Sequence, residues 1–175
     1  MSQDLVIWVD EQDAVLGNVL RTVAHDKSNL LIHRETMELL YTNPEHTKFL
    51  LQKRSQKKDQ YPGYWTMSVT CHVNPEDITE TDPLGYLTAG VREGWEELGV
   101  HITNQRLVGT LLAESDINRA MMGIVVGETT DKTTVDPEEV SEVREFDLAT
   151  IKVIRDRLTP GALKCLTYLG IFSEE

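Results

Sequence analysis

The sequence is poor in cysteine and contains no long apolar run. Two cysteines, Cys71 and Cys165, lie far apart in the 175 residues, which excludes a disulfide framework and the paired spacing of a structural zinc site. No run of about 18 apolar residues occurs, so no membrane-spanning helix is expected. The acidic beginning MSQDLVIWVDEQD lacks the basic-then-apolar pattern of a secretory signal, and a reducing, cytoplasmic location is the expectation.

Basic residues are also few. The chain has 17 Lys and Arg against 29 Asp and Glu, which gives a formal net charge of −12. A surface of this sign repels nucleic-acid backbones, so we expect neither a DNA or RNA polymer nor a membrane as partner. A small anionic substrate remains compatible, because a divalent cation and a few local Lys or Arg can reverse the sign inside one cleft. The sequence leaves a homodimer open.

Alternating and β-branched segments predict a mixed β-sheet with helices packed on it, in an α/β or α+β fold. Strands are predicted at 5–10, 14–20, 30–42, 48–55, 64–73, 102–115, 119–129 and 138–147. Residues 21–29 are interpreted as a short helix or a loop, and helical spacing recurs at 148–158 and 160–172. A further helix is predicted from Pro83 to Leu98, with Asp82 as its cap and Gly99 as its stop.

This last helix contains an unusual acidic segment, VREGWEELGV at 91–100. At about 100° per residue, a helical wheel predicts a core-facing stripe made of Leu84, Leu87, Val91, Trp95 and Leu98, together with Gly94. The same wheel places Glu93, Glu96 and Glu97 on the opposite side. These carboxylates repel one another and lie near the helix C-terminus, where the helix dipole disfavours negative charge. A solvated acidic face is one interpretation, and a site for a hard cation such as Mg²⁺ is the other.

Residues 92–100, REGWEELGV, resemble the second half of the Nudix box, R-E-U-x-E-E-x-G-U, in which U is a bulky apolar residue. The fixed letters match, and Gly94 departs from the pattern at the first U. The resemblance implies a Nudix-type α/β/α sandwich with a mixed β-sheet, as a single domain over residues 1–175. It also implies that Glu93, Glu96 and Glu97 bind Mg²⁺ or Mn²⁺, that Arg92 orients a carboxylate, and that the metal activates water against a diphosphate.

The first half of the box is not matched. The positions of its first Gly and its Glu hold Ile78 and Leu84, and CHVNPEDITETDPLGYL resembles the family's G-H-V-x-x-G-E turn with extra residues inserted. In the family this Glu is mainly a partner for the arginine, so its loss affects the expected loop geometry more than metal binding. Glu76 and Glu80 are the open replacements.

Longer segments, 7–37 and 49–73, resemble the Nudix branch related to isopentenyl-diphosphate isomerase, and so do PEEVSEVREF and LTPGALKCL near the end of the chain. The isomerase motif N-S-V-C-G-H corresponds to MSVTCH at 67–72, so Thr70 takes the cysteine position and Cys71 is displaced by one residue. One step along a strand turns a side chain to the opposite face, where the thiol could not act as the isomerase acid unless a bulge intervened.

Further residues match the isomerase in approximate position. His25, His33 and His72 match its metal-binding histidines, although ordinary hydrogen-bonded histidines are the alternative. Arg54 and Lys58 match positions that hold the diphosphate, with a solvated basic loop as the alternative.

Glu114 and Glu139 are candidates for a further metal ligand or the general base. The resemblance implies Mg²⁺-dependent hydrolysis of a diphosphate linkage in a small substrate of the nucleoside-diphosphate-X type, with Glu93, Glu96, Glu97 and Arg92 as catalytic residues. Isomerase activity is one alternative. A Nudix module that binds a nucleotide without cleaving it is the other.

Overall fold

The computed structural model describes residues 4–173. In this range the strands are β1 Leu5–Val9, β2 Val15–Leu20, β3 His33–Tyr41, β4 Lys48–Arg54, β5 Trp65–Thr66, β6 Val69–His72, β7 Thr103–Glu114, β8 Arg119–Glu128 and β9 Val140–Asp147. The α-helices are α1 Arg21–Ala24, α2 Tyr86–Leu98 and α3 Pro160–Tyr168, and 3₁₀ turns cover Pro75–Asp77 and Ile151–Arg157. The predicted order of strands and helices is confirmed, except that the strand predicted at 64–73 divides into β5 and β6. None of the helices between residues 4 and 173 combines the length and the apolar character needed to cross a membrane.

Strand β3 organises the sheet. It pairs in parallel with β8 over its whole length, from His33 opposite Ala120 to Tyr41 opposite Glu128. It also pairs antiparallel with β6 over 35–38 and with β4 at residues 40 and 41. Strand β7 extends the sheet beyond β8, and both β9 and β5 pair with β4. The sheet is therefore mixed, as the sequence predicted.

The side chains of β3 alternate between two covered faces. Met37 and Leu39 belong to a core cluster that also contains Ile151 of the second 3₁₀ turn and Cys165 of α3. On the opposite face, residue 40 packs in a cluster with residue 98 of α2. A strand covered on both faces is buried almost continuously, which explains why HRETMELLY lacks a clean alternation of apolar and polar residues. Helices on both faces of one mixed sheet give the expected α/β/α sandwich.

Helix α2 lies close to the sheet because its inner face contains small residues. Ala89, Gly90 and Gly94 are buried. A Cβ atom added at Gly90 would lie 2.2 Å from Glu38 Oε2, and one added at Gly94 would lie 2.6 Å from Ile102 Cδ1. Both distances are shorter than any van der Waals contact, so a larger residue at either position would have to displace the end of the Glu38 or the Ile102 side chain. Ile102 also explains why position 94 lacks the large apolar residue of the box pattern.

The prediction that Val91 and Trp95 face the core is wrong. They are 45% and 56% exposed, whereas Glu97 is only 8% exposed. The helical wheel assigned burial by hydrophobicity, but the face that packs on the sheet is the one with the smallest side chains. Val91 and Trp95 are turned outwards as a result, and the Trp95 ring lies 4.9 Å from the ring of His101.

The predicted end of α2 at Gly99 is confirmed, but its predicted start is three residues too early, and Gly85 is its N-cap residue. The Asp82 carboxylate accepts hydrogen bonds from the backbone N–H groups of Gly85 at 3.1 Å and Thr88 at 2.8 Å. Gly99 ends the helix with a φ of 65°, in the left-handed region. The first helical residue is Tyr86 and not Pro83, because Asp82 reaches the helix across Gly85.

Beneath α2, the carboxyl group of Glu38 is fully buried. Its Oε1 atom accepts a hydrogen bond from Gln105 Nε2 at 2.8 Å, and its Oε2 atom has no hydrogen-bond partner within residues 4–173. Burial raises the pKa of Glu38 to about 7, against the smaller opposing effect of the Gln105 hydrogen bond. Glu38 therefore keeps its proton in the folded chain under conditions where the unfolded chain loses it.

We expect Glu38→Gln to change how stability depends on pH. Between the ordinary pKa of 4.5 and the folded pKa of about 7, the free energy of unfolding of the wild type falls as pH rises. The amide does not titrate, so the variant should gain stability relative to the wild type between about pH 5 and about pH 8, by at most on the order of 3 kcal/mol. Urea denaturation at both pH values measures the difference, with exposed Glu80→Gln as control. A difference that does not vary with pH would contradict the assignment.

Candidate active site

A cleft with a volume of about 980 Å³ collects most of the residues predicted to form a site. Its walls come from α2, from the connection between β4 and β5, from the ends of β6 and β7, and from the start of α3. The predicted residues that line it are Glu93, Glu96, Glu97, Arg54, Lys58, His25, His72, Glu114 and Glu139. Arg92 and His33 are not among the lining residues, but each contacts one that is.

The glutamates of α2 enter the cleft to different depths. The side chains of Glu93 and Glu96 are 21% and 58% exposed, and Glu97 is buried. Burial raises the pKa of Glu97 to about 7, with the charges of Glu93 and Glu139 adding to the effect. Burial likewise raises the pKa of Glu93, against the opposing effect of Arg92. Glu93 and Glu97 are therefore carboxylates with little solvation, and a cation bound beside them would offset that cost.

Arg92 is held by Asp77 in a two-pronged ion pair. Arg92 Nε lies 2.9 Å from Asp77 Oδ1, and Arg92 Nη2 lies 2.8 Å from Asp77 Oδ2. Arg92 Nη1 also donates to Glu93 Oε1 at 2.6 Å, so the pair orients a predicted metal ligand. Asp77 is 1% exposed, whereas Glu76 and Glu80 are exposed.

Asp77, and neither of the open replacements Glu76 and Glu80, is thus the residue paired with Arg92. Asp77 takes that part, since the inserted segment folds into the 3₁₀ turn Pro75–Asp77. Within this turn the Asp77 carboxylate also accepts the backbone N–H of Asn74 at 2.8 Å, which fixes its direction. The family pattern has a glutamate at this position, and so the sequence did not indicate Asp77 as the partner of Arg92.

The two predicted basic residues of the cleft wall, Arg54 and Lys58, interact with nearby acidic side chains. Arg54 Nε donates to the carbonyl of Gln60 at 2.9 Å. Burial lowers the pKa of Arg54, and the negative charges of Glu97, Glu139 and Glu35 oppose this shift. Lys58 forms an ion pair with Glu139. Lys58 lies on the β4–β5 connection and Glu139 lies just before β9, and they contact each other at the rim of the cleft.

Glu114, at the end of β7, is paired with Arg119 at 2.6 Å. Its side chain is 53% exposed, so it lies on an open part of the wall. The structure thus brings both predicted loop carboxylates to the cleft, with a different basic partner for each.

The three predicted histidines converge with one carboxylate that the sequence reading missed. His25 follows α1, His33 and Glu35 lie on β3, and His72 ends β6 directly opposite Glu35. One ligand atom from each of these residues lies within 4.8 Å of all the others. The spacing H-x-E was the available signal, because side chains two apart on a strand share a face. Asn118, which donates to Glu35 Oε1 at 3.0 Å, comes from the β7–β8 connection and had no such signal.

The distances inside this histidine cluster suit a metal ion. His25 Nε2 and His72 Nε2 are 2.9 Å apart, and Glu35 Oε1 lies 3.1 Å from His33 Nε2 and 3.7 Å from His72 Nε2. Ligands of a tetrahedral ion with bonds of about 2.0 Å lie about 3.3 Å apart. The ligand set of imidazoles and a carboxylate is typical of zinc and other transition metals.

The protonation of the cluster is also compatible with a cation. Burial lowers the pKa of His72 to about 3 and lowers that of His25 as well, so both imidazoles are neutral at pH 7. Burial opposes the ionisation of Glu35, but the hydrogen bond and charge of His33 outweigh it and lower the pKa of Glu35 to about 2. His33 Nδ1 donates to the carbonyl of Leu31 at 3.1 Å, which directs its Nε2 atom towards Glu35.

Cys71 lies on the other face of β6, as predicted. The register from Val69 to His72 against β3 contains no bulge, and Cys71 stands opposite Thr36. Its side chain packs with Val73 and Tyr86 under α2, and burial raises the pKa of its thiol well above the ordinary value. The thiol is therefore neither directed towards the histidine cluster nor readily ionised.

The NUDIX domain family model matches residues 33–169. The chain belongs to the Nudix family. Among curated proteins it is 33% identical over 103 residues to human isopentenyl-diphosphate delta-isomerase 2, covering 56% of this chain and 44% of the isomerase. It is 29% identical over 141 residues to an uncharacterised Nudix hydrolase of Pseudomonas aeruginosa, covering 81% and 77% of the two chains. The chain spans about half or less of the length of the isomerases that it matches.

Solved structures agree in fold. A Deinococcus radiodurans protein superposes with a TM-score of 0.68 at 19% identity, over 94% of this Nudix chain and 98% of the other. The NUDIX domain of Shewanella oneidensis NrtR, determined with ADP ribose, superposes with a TM-score of 0.62 at 15% identity, over 85% and 94%.

The Arg92–Asp77 pair can be tested by a double-mutant cycle. We expect Asp77→Asn and Arg92→Met to be coupled by about 1 to 3 kcal/mol in unfolding free energy, because either change leaves the other partner without its ion pair. The same cycle with Glu76→Gln in place of Asp77→Asn should give a coupling near zero. Equal couplings in the two cycles would mean that Asp77 is not the specific partner.

Proposed function

We propose that the chain hydrolyses a diphosphate linkage in a small substrate of the nucleoside-diphosphate-X type, with Mg²⁺ or Mn²⁺ held by Glu93, Glu96 and Glu97. The observation that carries the proposal is the position of these carboxylates in the 980 Å³ cleft, oriented by the Arg92–Asp77 pair. The ADP ribose bound by the Shewanella Nudix domain supports a nucleoside diphosphate as the substrate class.

The residues fit a hard divalent cation. Their donors are carboxylate oxygens, and burial raises the pKa of both Glu93 and Glu97, which shows that negative charge here lacks solvation. When bound, the ion would supply Lewis-acid polarisation of a phosphoryl oxygen and a more acidic water. Arg92 keeps Glu93 in place through their 2.6 Å hydrogen bond.

The other side chains of the cleft would bind the substrate and manage its proton. Arg54 and Lys58 lie on the basic wall, where they would neutralise the phosphates. Substrate phosphate would compete with Glu139 for Lys58, and this would free the Glu139 carboxylate. Glu139 is then a candidate for the base that accepts a proton from the attacking water, and a carboxylate of α2 is the other.

The histidine cluster would hold a second cation at the other end of the cleft. The donors His25, His33, Glu35 and His72 support a transition metal better than Mg²⁺, since three of them are imidazole nitrogens. Arg54 lies within electrostatic reach of Glu35 and of Glu97, so a diphosphate bound to it would lie between the two candidate metal sites.

The isomerase alternative is less well supported. Its acid would have to be Cys71, which borders the cleft from under α2 and has a raised thiol pKa, whereas Thr70 and His72 lie on the face of β6 that carries the histidine cluster. A binding module without hydrolysis remains the other alternative, and product formation separates it from an enzyme.

Glu97→Gln tests the metal assignment. We expect wild-type protein with Mg²⁺ to release product from a panel of nucleotide sugars, dinucleoside polyphosphates and prenyl diphosphates. The variant should lose at least about a hundredfold in kcat/KM, because it removes one charge that supports the transition state. Glu76→Gln on the neighbouring exposed turn is the matched control and should retain turnover.

Three outcomes would contradict the proposal in different ways. Unchanged turnover of Glu97→Gln would remove the metal assignment. Nucleotide binding without product in the wild type, even after long incubation with Mg²⁺, would favour the binding module. Interconversion of the two pentenyl diphosphate isomers, abolished by Cys71→Ala, would favour the isomerase.

Crystals soaked in Mn²⁺ test the second cation site. We expect two anomalous peaks, one against the acidic face of α2 and one between His25, His33, Glu35 and His72. His72→Ala should remove the second peak and leave the first, because it deletes one ligand of that site only. A single peak against α2 in the wild type would show that the histidines form a hydrogen-bonded cluster without metal.

A further inference from the structure

Glu97 is held from behind by Gln52, a residue that does not line the cleft. Gln52 lies on β4 and is 3% exposed, and its Nε2 atom donates to Glu97 Oε2 at 3.0 Å. The same nitrogen donates to the carbonyl of Ser68 at 3.2 Å. An amide nitrogen has two hydrogens, so both are used and the direction of the amide group is fixed.

The anchor of Gln52 is itself rigid. Ser68, just before β6, accepts the backbone N–H of Leu40 at 2.8 Å through its hydroxyl oxygen and donates that hydroxyl to the carbonyl of Leu50. These bonds join β3, β4 and the start of β6 at one buried point. Through Gln52, the Glu97 carboxylate is therefore held in a fixed position relative to the sheet, in addition to its attachment to helix α2.

We propose that Gln52 is a positioning residue that presents Glu97 to the cation. A carboxylate has two oxygens, and occupation of Oε2 by Gln52 leaves Oε1 for a cation in the cleft. An amide donor is suited to this task because it orients the carboxylate without neutralising it, whereas Lys or Arg at position 52 would compete with the cation. The inference rests on the proposed function, since it requires that Glu97 is a metal ligand.

The experiment measures Mn²⁺ binding by isothermal titration in protein that carries His72→Ala, so that only the site on α2 is titrated and every variant is compared with that parent. It is combined with the Mg²⁺ dependence of kcat/KM in protein with an intact histidine cluster. Gln52→Met retains the size of the side chain and removes both donors. We expect its Kd for Mn²⁺ to rise about tenfold, as is usual when a partner that orients a metal ligand is lost. The Mg²⁺ concentration for half-maximal kcat/KM should rise by a similar factor.

Gln105→Met is a matched control. Gln105 Nε2 makes the same pair of bonds elsewhere, to the buried carboxylate of Glu38 at 2.8 Å and to the carbonyl of Leu87 at 3.3 Å. If Gln52 only stabilises the fold, both variants should lower the melting temperature and leave the Mn²⁺ affinity unchanged. If Gln52 positions Glu97, only Gln52→Met should weaken Mn²⁺ binding.

Each outcome decides the question. The parent's Kd in Gln52→Met, or an equal loss in Gln105→Met, overturns the role of Gln52 and leaves the proposed function intact. If the parent does not bind Mn²⁺, or Glu97→Gln binds it as well as the parent, the metal assignment fails and the inference fails with it. If Gln52→Met does not fold, Gln52→Asn replaces it with the same expectation, because its amide is one methylene too short to reach Glu97.

Discussion

The close contact between α2 and the sheet is the constraint on which the candidate site depends. Gly90 and Gly94 bring the helix so near that a single added carbon at either position would collide with Glu38 or Ile102. The separation and rotation of the helix follow from this contact. With the small-residue face turned inwards, Glu97 is directed towards β4 and Glu93 towards the arginine pair, while Trp95 is left on the surface. A larger residue at 90 or 94 would have to displace the end of the Glu38 or the Ile102 side chain.

The same contact shapes the electrostatics of the interior. Glu38 is fully buried beneath the helix, and burial raises its pKa to about 7. Glu97 has a similarly raised pKa but faces a cleft, where a cation could offset its burial. The two buried acids thus differ in their environment. Glu38 is most stable as a neutral acid, whereas Glu97 could be stable as an anion beside a positive charge.

The sequence predicted the fold and the members of the site better than it predicted their packing. Strand patterns and the cap and stop of α2 follow from local chemistry, so they could be read directly. The buried face of α2 could not, because hydrophobicity pointed to Trp95 and Val91, whereas the decisive property was the small volume of Gly90 and Gly94.

Partners contributed from a distance were missed for a related reason. Asp77 and Gln52 contact Arg92 and Glu97 through hydrogen bonds between residues that are far apart in the chain. The residues next to them in the sequence do not indicate these contacts. Glu35 was within reach of sequence reasoning, because it shares a strand face with His33.

The comparison between hydrolase and isomerase turns on one position of β6. Its register puts Thr70 opposite Met37 and His72 opposite Glu35, on the face of the histidine cluster, and Cys71 opposite Thr36 on the other face, under α2, where it borders the same cleft. A displacement of one residue therefore keeps His72 in the histidine cluster while it turns the thiol away from it. The acidic helix face and the Arg92–Asp77 pair do not depend on that position. The displaced thiol is buried and has a raised pKa, so the proposed hydrolysis has more of its residues in place than allylic proton transfer by Cys71 would have, which is why hydrolysis is the better-supported chemistry.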